Sequence, residues 1–204
     1  MATQIDAFTD YQAKEAWTWE HMALTRARVV SSSPAFKERV EGVIRAVLGR
    51  PRDAELIAGD VAEMRAAIAA EKGDGERWDL KYAAGGLIDL EFIAQYLQLV
   101  HAHAHPEILD TSTAHVLDKA WALRLLPAED AEILRAAARL YQDLTQVLRL
   151  CLAGPFDAKT AGSGLLRLLA RAGDVPDFAT LEATLTETQD KVRASFVRIL
   201  GRAP

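Results

Sequence analysis

The stretch from residue 79 to residue 100 carries polar residue types suited to chemistry within an otherwise apolar run. Lys81 and the pair Gly85 and Gly86 stand directly before a helical pattern. Two glycines there leave backbone N–H groups unobstructed at the positive end of the helix dipole, which can hold a phosphate, and a lysine adds a point charge. Glycine serves equally for close helix–helix approach or for a left-handed turn. From the residues alone the stretch therefore has two interpretations: a phosphate contact at Lys81, Gly85 and Gly86, or close packing and turn formation, which is the commoner use of a lone glycine pair.

Asp89 and Glu91 form an Asp-x-Glu pair in the same stretch. On a strand the two carboxylates would share one side, as metal-dependent nucleotidyl transfer needs, but on a helix they diverge by about 200°. Because the surrounding run is apolar and helical, we interpret both as buried partners of basic residues. Arg26 and Arg28 are the candidate partners, with a solvated helix face as the alternative for both arginines.

Two other reactive residue types have less specific surroundings. His101, His103 and His105 follow the central run, and His101 and His105 share a helix face. No carboxylate or cysteine nearby completes a tetrahedral set, so we predict exposed imidazoles and no metal site. The single cysteine, Cys151, lies in an apolar helical run without an adjacent base, which predicts an inert, packed thiol.

Sequence motifs of known enzyme classes are missing. The chain has no P-loop, no dinucleotide fingerprint and no Gly-x-Ser-x-Gly elbow. Residues 161–164 (AGSG) are similar to the Gly-Ser turn of nucleotidyltransferases, but Leu165 and Leu166 follow instead of a strand with two carboxylates. We therefore predict no catalytic residue in this chain.

Composition limits the remaining possibilities. The chain has 204 residues, half of them apolar, which is enough for one substantial core. A net charge of −5 argues against a general nucleic-acid binder. One cysteine excludes an internal disulfide and is consistent with the cytoplasm. No segment resembles a signal peptide or reaches the ~20 apolar residues of a membrane span.

Hydrophobic periodicity places these residues on helices throughout. We expect an all-α, up-and-down bundle of four to five long helices with extra short helices, residues 1–9 being a leader or the tail of a preceding domain and residues 10–204 one domain. Ser33, Asp53, and Ser112 or Thr113 are expected to begin helices as caps. The predicted helices are 10–30, 34–48, 54–71, one following Gly86 to about residue 100, 113–125, 127–151, 165–171 and 178–200.

Two separated motifs give the chain a family resemblance. Residues 15–21 (EAWTWEH) and 23–30 (ALTRARVV) are similar to the entry helix of glutamine-synthetase adenylyltransferase. Residues 79–81 (DLK), 85–92 (GGLIDLEF) and 95–97 (QYL) resemble a second motif of that family in the right order. Weaker similarity extends the resemblance to roughly residues 10–200. Ala83 stands where the family usually has glycine, and Met22 replaces a commonly polar residue.

The resemblance implies a function that the motifs alone do not show. The family pairs nucleotidyltransferase domains with helical bundles. One half transfers AMP from Mg-ATP to a tyrosine of glutamine synthetase, and the other removes it by phosphorolysis. PII-type signalling proteins and glutamine set the balance and so regulate nitrogen assimilation. The sequence of residues 17–21 and an apparently natural end after Pro204 favour the bundle of the C-terminal, adenylylating half. Without the nucleotidyltransferase domain we expect no activity from this chain alone.

Two hypotheses follow for the bundle. In the first it binds substrate and supplies part of the ATP cleft, with Lys81, Gly85 and Gly86 at an open surface and Arg26, Arg28, Asp89 and Glu91 as the supporting polar network. In the second it is a regulatory or docking module for PII or glutamine synthetase without nucleotide contact. The second requires the lysine and the glycines to be buried against a helix and an exposed apolar patch elsewhere.

Overall fold

The protein folds into packed α-helices, as a computed structural model shows for residues 4–73 and 75–201. These residues form nine α-helices and one short 3₁₀ turn, Pro106–Ile108, and contain no strand. The predicted all-α class is confirmed for this part of the chain. The helices are α1 (Ile5–Lys14), α2 (Thr18–Leu24), α3 (Pro34–Leu48), α4 (Ala54–Lys72), α5 (Leu87–His101), α6 (Thr113–Ala122), α7 (Ala128–Cys151), α8 (Ser163–Ala172) and α9 (Phe178–Ile199).

Helix α5 is the centre of the core, as its apolar sequence predicts. It packs against α2, α4, α6, α7 and α9. Its Leu90, Ile93 and Leu99 are at most 1% exposed. Because neighbouring helices cover most of α5, its buried polar residues must find partners inside the protein.

Polar side chains begin the helices where the sequence places them. Ser33, Asp53 and Ser112 each accept a backbone N–H from the first turn of α3, α4 and α6. Asp177 does the same for α9. Each cap satisfies donors that the helix itself leaves unpaired, which is why these boundaries are readable from sequence.

The N-terminal segment differs from the single helix predicted for residues 10–30. The chain forms α1 from Ile5 and then α2, with a break around Trp17. Glu20 accepts the backbone N–H of Trp17 at 2.9 Å, which begins a new helix there. In a single helix over residues 10–30 the periodicity places Trp19 and Val30 on one apolar face, which would face inward, and this prediction was wrong, since they are 52% and 86% exposed.

Two further burial predictions were wrong. The apolar periodicity of residues 54–71 predicts that Leu56, Ile57 and Val61 face inward; Ile57 and Val61 do, but Leu56 is 70% exposed. Cys151 is exposed rather than packed. Leu144 is the last fully buried residue of α7; Val147 and Leu148 still pack against the core, but Leu150 and Cys151 at the end of the helix are exposed.

Asp130 joins α7 to α9. Its carboxylate accepts hydrogen bonds from the Ser195 hydroxyl at 2.6 Å and from the Arg198 guanidinium. Burial opposes ionisation of Asp130, but these hydrogen bonds and the charge of Arg198 outweigh it and lower the pKa of Asp130 below its usual value. This pair therefore stabilises the fold only while Asp130 is ionised.

Replacing Asp130 with asparagine should lower the free energy of unfolding by about 1–2 kcal/mol at neutral pH, because the charged hydrogen bonds weaken. A carboxylate with a lowered folded-state pKa contributes stability above its unfolded pKa of about 3.9 and loses it as pH falls. Urea titrations from pH 7 to pH 3 should show the difference narrowing on acidification. Asp118→Asn, which breaks the more exposed pair with Arg135, is the control. A pH-independent difference for Asp130→Asn would contradict this account.

No helix in residues 4–73 and 75–201 is long and apolar enough to cross a membrane.

Candidate functional site

The carboxylate of Asp89 is the most buried charge in the predicted site, with 0% exposure. One oxygen accepts a hydrogen bond from Arg65 Nε of α4. The other accepts the Gly85 N–H at 2.7 Å and lies 3.5 Å from Arg193 Nη1 of α9. In this structure the basic partners of Asp89 are Arg65 and Arg193, and neither Arg26 nor Arg28 contacts it within the described residues. These contacts tie three helices and the turn before α5 to one side chain.

The turn that precedes α5, residues 77–86, is held through its backbone by the helices around it. Arg65 donates to the Tyr82 carbonyl at 3.2 Å, and the Gln189 side chain donates to the Arg77 carbonyl at 2.8 Å. Tyr141 of α7 donates its hydroxyl to the Gly85 carbonyl at 2.8 Å. Burial raises the pKa of Tyr141, and the charge of Asp89 adds to it, so the phenol keeps its proton and remains a donor. We call this segment the clamped turn.

The two glycines serve close packing in this structure. Gly85 has φ +75° and lies so near α9 that an added Cβ would stand 1.8 Å from the Gln189 carbonyl oxygen. At Gly86 a Cβ would stand 2.6 Å from the Leu80 carbonyl oxygen. Only glycine fits either position without movement of the backbone.

The backbone N–H groups at the start of α5 are already occupied. Gly85 donates to Asp89, and Gly86 donates to the Ala83 carbonyl at 2.8 Å. Leu87 and Ile88 donate to the carbonyls of residues 80 and 81 at 2.8 and 3.3 Å. The nucleotide assignment of Lys81, Gly85 and Gly86 stays a prediction, but phosphate binding through these amides would have to displace protein hydrogen bonds.

Lys81 is the predicted site residue that reaches solvent. Its side chain is exposed, with Nζ 4.8 Å from the ring centroid of Tyr82. Ala83, where the family usually has glycine, is buried and is not among the residues with positive φ, so the alanine is not strained. The clamped turn therefore offers a charged side chain on a rigid backbone.

Arg26 and Arg28 differ in their contacts. Arg26 forms an ion pair with Glu91. Arg28 is exposed, and within the described ranges no ion pair joins it to Asp89 or Glu91. Glu91 is partly exposed, whereas Asp89 is enclosed, because the two carboxylates diverge around α5 as expected.

Four residues that were not predicted from the sequence complete the surroundings of Asp89 and the clamped turn: Arg65, Arg193, Tyr141 and Gln189. Arg65 lies four residues after Val61 and eight after Ile57, on the buried face of α4. A basic residue at a core position of a helix indicates a buried acidic partner, so the helical periodicity of α4 could have identified Arg65 as a buried ion-pair residue. The partners on α7 and α9 have no comparable signal, because they are more than 50 residues away in sequence.

A second feature is a cleft of about 310 Å³ between the beginnings of α5 and α6 and one face of α7. We call it the polar cleft. Its lining comprises Arg26, Leu87, Leu90, Glu91, Thr111, Ser112, Thr113, Ala114, Ala138, Gln142, Thr145, Gln146 and Arg149. The lining thus includes the Arg26–Glu91 ion pair and Arg149, which was not predicted as a site residue.

A third feature is an exposed apolar area around Trp17, Trp19 and Leu56, which are 72%, 52% and 70% exposed. The hydroxyl of Thr18, between the two tryptophans, donates to Asp60 of α4. Leu56 lies one turn before Asp60 in α4, so this hydrogen bond brings together the two segments that carry the three exposed residues. We call this the N-terminal apolar surface.

The histidines do not assemble a metal site within the described residues, where no group of three or more metal-ligating side chains occurs. His103 Nδ1 lies 3.0 Å from the Val100 carbonyl oxygen. His105 Nδ1 lies 3.6 Å from Glu107 Oε1. These histidines serve local contacts at the end of α5.

Family models match both parts of the chain. Residues 62–200, which contain α5, the clamped turn and the polar cleft apart from Arg26, match the model described as GlnD PII-uridylyltransferase. Since this match spans more than half of the sequence, the chain belongs to that family. Residues 1–43 match a second model, described as glutamate-ammonia ligase adenylyltransferase.

Individual relatives carry one shared description, bifunctional glutamine synthetase adenylyltransferase/adenylyl-removing enzyme. The protein of Rhodopseudomonas palustris (strain BisB5) is 63% identical over 201 residues, 98% of this chain and 20% of the relative. That of Bradyrhizobium diazoefficiens is 63% identical over 205 residues, 100% of this chain and 21% of the relative. That of Xanthobacter autotrophicus is 57% identical over 203 residues, 100% of this chain and 20% of the relative. The chain thus spans about a fifth of their length, and the resemblance seen in its motifs is confirmed by these homologues.

Gly85→Ala should destabilise the protein by at least about 3 kcal/mol, because the methyl group would meet the backbone of α9 and strain the positive φ. Gly59→Ala is the matched control, since Gly59 lies within α4 with no atom within 4 Å of an added Cβ. The control should gain up to about 1 kcal/mol through helix propensity. Urea denaturation of both variants measures the contrast, and equal effects would show that the clamped turn is not packed as described.

Proposed function

We propose that this chain is the helical module of an enzyme that adenylylates glutamine synthetase, and that it belongs to the C-terminal, adenylylating half. Identity of about 60% along the whole chain to bifunctional adenylyltransferases supports the kind of enzyme, and the resemblance of residues 17–21 supports the C-terminal half. The chain supplies no catalytic residue. A separate nucleotidyltransferase domain performs the transfer from Mg-ATP, and the module acts in the cytoplasm on glutamine synthetase under control of a PII-type protein.

The observation that supports nucleotide binding is that Lys81 lies exposed on a turn whose backbone is held by hydrogen bonds. Hydrogen bonds from α4, α7 and α9 fix the turn that bears it, and its side chain is exposed. A lysine on an immobilised backbone is a preorganised point charge for a phosphate group. Gly85 and Gly86 contribute by shaping the turn, and Asp89 by holding it, whereas Lys81 makes the direct contact.

The N-terminal apolar surface is the docking site for the nucleotidyltransferase domain in this proposal. Two exposed tryptophans beside a leucine are costly to leave in water and are frequent centres of protein interfaces. The relatives are about five times longer than this chain, so they contain further polypeptide to cover such a surface. Docking there would place the module beside the catalytic domain.

A second candidate is a regulatory bundle that binds a PII-type protein or glutamine synthetase without nucleotide contact. It is favoured by the burial of Gly85 and Gly86 against α9 and by the occupied N–H groups before α5. The two candidates differ in one respect that can be measured, which is whether Lys81 contacts ATP.

Titration of the chain with Mg-ATP, followed through backbone amide NMR signals, tests the nucleotide role. Saturable shifts should centre on residues 80–83 and disappear in Lys81→Ala, because the point charge is lost. Lys159→Ala, at an exposed lysine of the α7–α8 loop, should leave them unchanged. If millimolar Mg-ATP shifts no signal in the wild type, the regulatory candidate replaces the first.

Docking is tested with the nucleotidyltransferase segment of the Rhodopseudomonas palustris relative as the binding partner. The wild-type chain should bind it and restore AMP transfer to glutamine synthetase. Joint replacement of Trp17 and Trp19 by alanine should weaken binding at least about tenfold, as loss of aromatic hot spots does. Trp121→Ala removes a tryptophan that is 49% exposed elsewhere and should have no effect. Equal binding by both variants would exclude the N-terminal apolar surface as the interface.

A further inference from the structure

The polar cleft is lined by groups that neither the clamped turn nor the N-terminal apolar surface uses. Two arginines and one carboxylate contribute its charge, so the lining carries +1, whereas the whole chain carries −5. A positively charged cleft in an acidic protein selects negatively charged ligands, because the low-dielectric walls concentrate its field.

Arg149 is the arginine in this cleft without a competing carboxylate. It is exposed near the end of α7, and within the described ranges no hydrogen bond or ion pair engages it. Arg26, on the other side, is already paired with Glu91. An anion entering the cleft therefore meets one unengaged guanidinium and one that it must share with a carboxylate.

The uncharged part of the lining is rich in hydrogen-bond donors. Thr111, Ser112 and Thr113 bring hydroxyl groups at the N-terminus of α6, and Gln142 and Gln146 bring side-chain amides from α7. The hydroxyl oxygen of Thr145 is buried and has no hydrogen-bond partner in the described part of the chain. These hydroxyl and amide groups can all donate hydrogen bonds to a ligand, and a buried unpartnered hydroxyl is unusual unless a ligand or water satisfies it.

The size of the cleft limits the ligand. Its volume of about 310 Å³ lies at the lower end of the roughly 300–1,000 Å³ typical of small-molecule sites. A phosphate group with a small carrier fits this volume. Guanidinium groups bind phosphate through paired N–H···O bonds, which makes phosphate a better match than a halide.

We propose that the polar cleft is a binding site for a phosphate group and that Arg149 is the principal residue that binds it. Glu91 competes with the phosphate for Arg26. The phosphate comes either free, as inorganic phosphate, or carried by a nucleoside monophosphate. This site does not involve Lys81, so the test of phosphate binding in the polar cleft is independent of the test of nucleotide binding at Lys81.

The test is titration of the full chain with inorganic phosphate and, separately, with AMP, followed by amide NMR at low ionic strength. Saturable shifts are expected at residues 111–114 and 142–149. Arg149→Ala should weaken phosphate binding about tenfold, in keeping with the loss of charge-assisted hydrogen bonds. Glu91→Gln should tighten it, because Arg26 is released and a repulsive charge is removed.

Arg139→Ala is the matched control, since it removes an exposed arginine of the same helix that does not line the cleft. It should leave the affinity unchanged. Binding of AMP more tightly than phosphate identifies a carried phosphate, and equal affinity identifies the free ion. Equal losses in Arg139→Ala and Arg149→Ala, or no change in Glu91→Gln, would show non-specific attraction and overturn the proposal, as would the absence of saturable shifts.

Discussion

The enclosed carboxylate of Asp89 constrains the arrangement of the helices around it. Removing a carboxylate from water costs several kcal/mol, which only well-placed donors and opposite charges offset. Arg65, Arg193 and the Gly85 N–H provide them from α4, α9 and the clamped turn. Displacing any of the three weakens the compensation of a charge in the core, so these elements keep one relative position. Exposed pairs elsewhere, such as Lys14 with Asp10, impose no such constraint.

The clamped turn inherits its rigidity from that constraint. Gly85 comes within van der Waals contact of α9 because it lacks a side chain, and its two backbone polar groups bond to Asp89 and Tyr141. The same bonds that fix the turn occupy the N–H groups that a phosphate would need. In this structure Gly85 and Gly86 therefore determine the shape of the turn. The exposed side chain of Lys81 is the group that remains available to contact a phosphate.

The surfaces of the protein divide by chemistry. Of the ten large apolar residues that are exposed within the described residues, six lie in the first 56 positions, and the N-terminal apolar surface contains three of them. The polar cleft, between α5, α6 and α7, instead presents arginines, hydroxyls and amides. An apolar surface favours a permanent protein contact, and a small donor-rich cleft favours a charged ligand, so the two suit different roles within a longer protein.

The sequence by itself determined the helical class, the starts of α3, α4 and α6 and the central position of α5, because periodicity and capping are local properties. It also determined that Asp89 and Glu91 need basic partners, since burial of a charge demands compensation. Tertiary structure alone decided that Arg65 and Arg193 meet Asp89, that Tyr141 and Gln189 hold the turn, and that Trp19, Leu56 and Cys151 remain exposed. Those outcomes depend on which helix faces are covered by segments distant in sequence, and no local pattern encodes that packing.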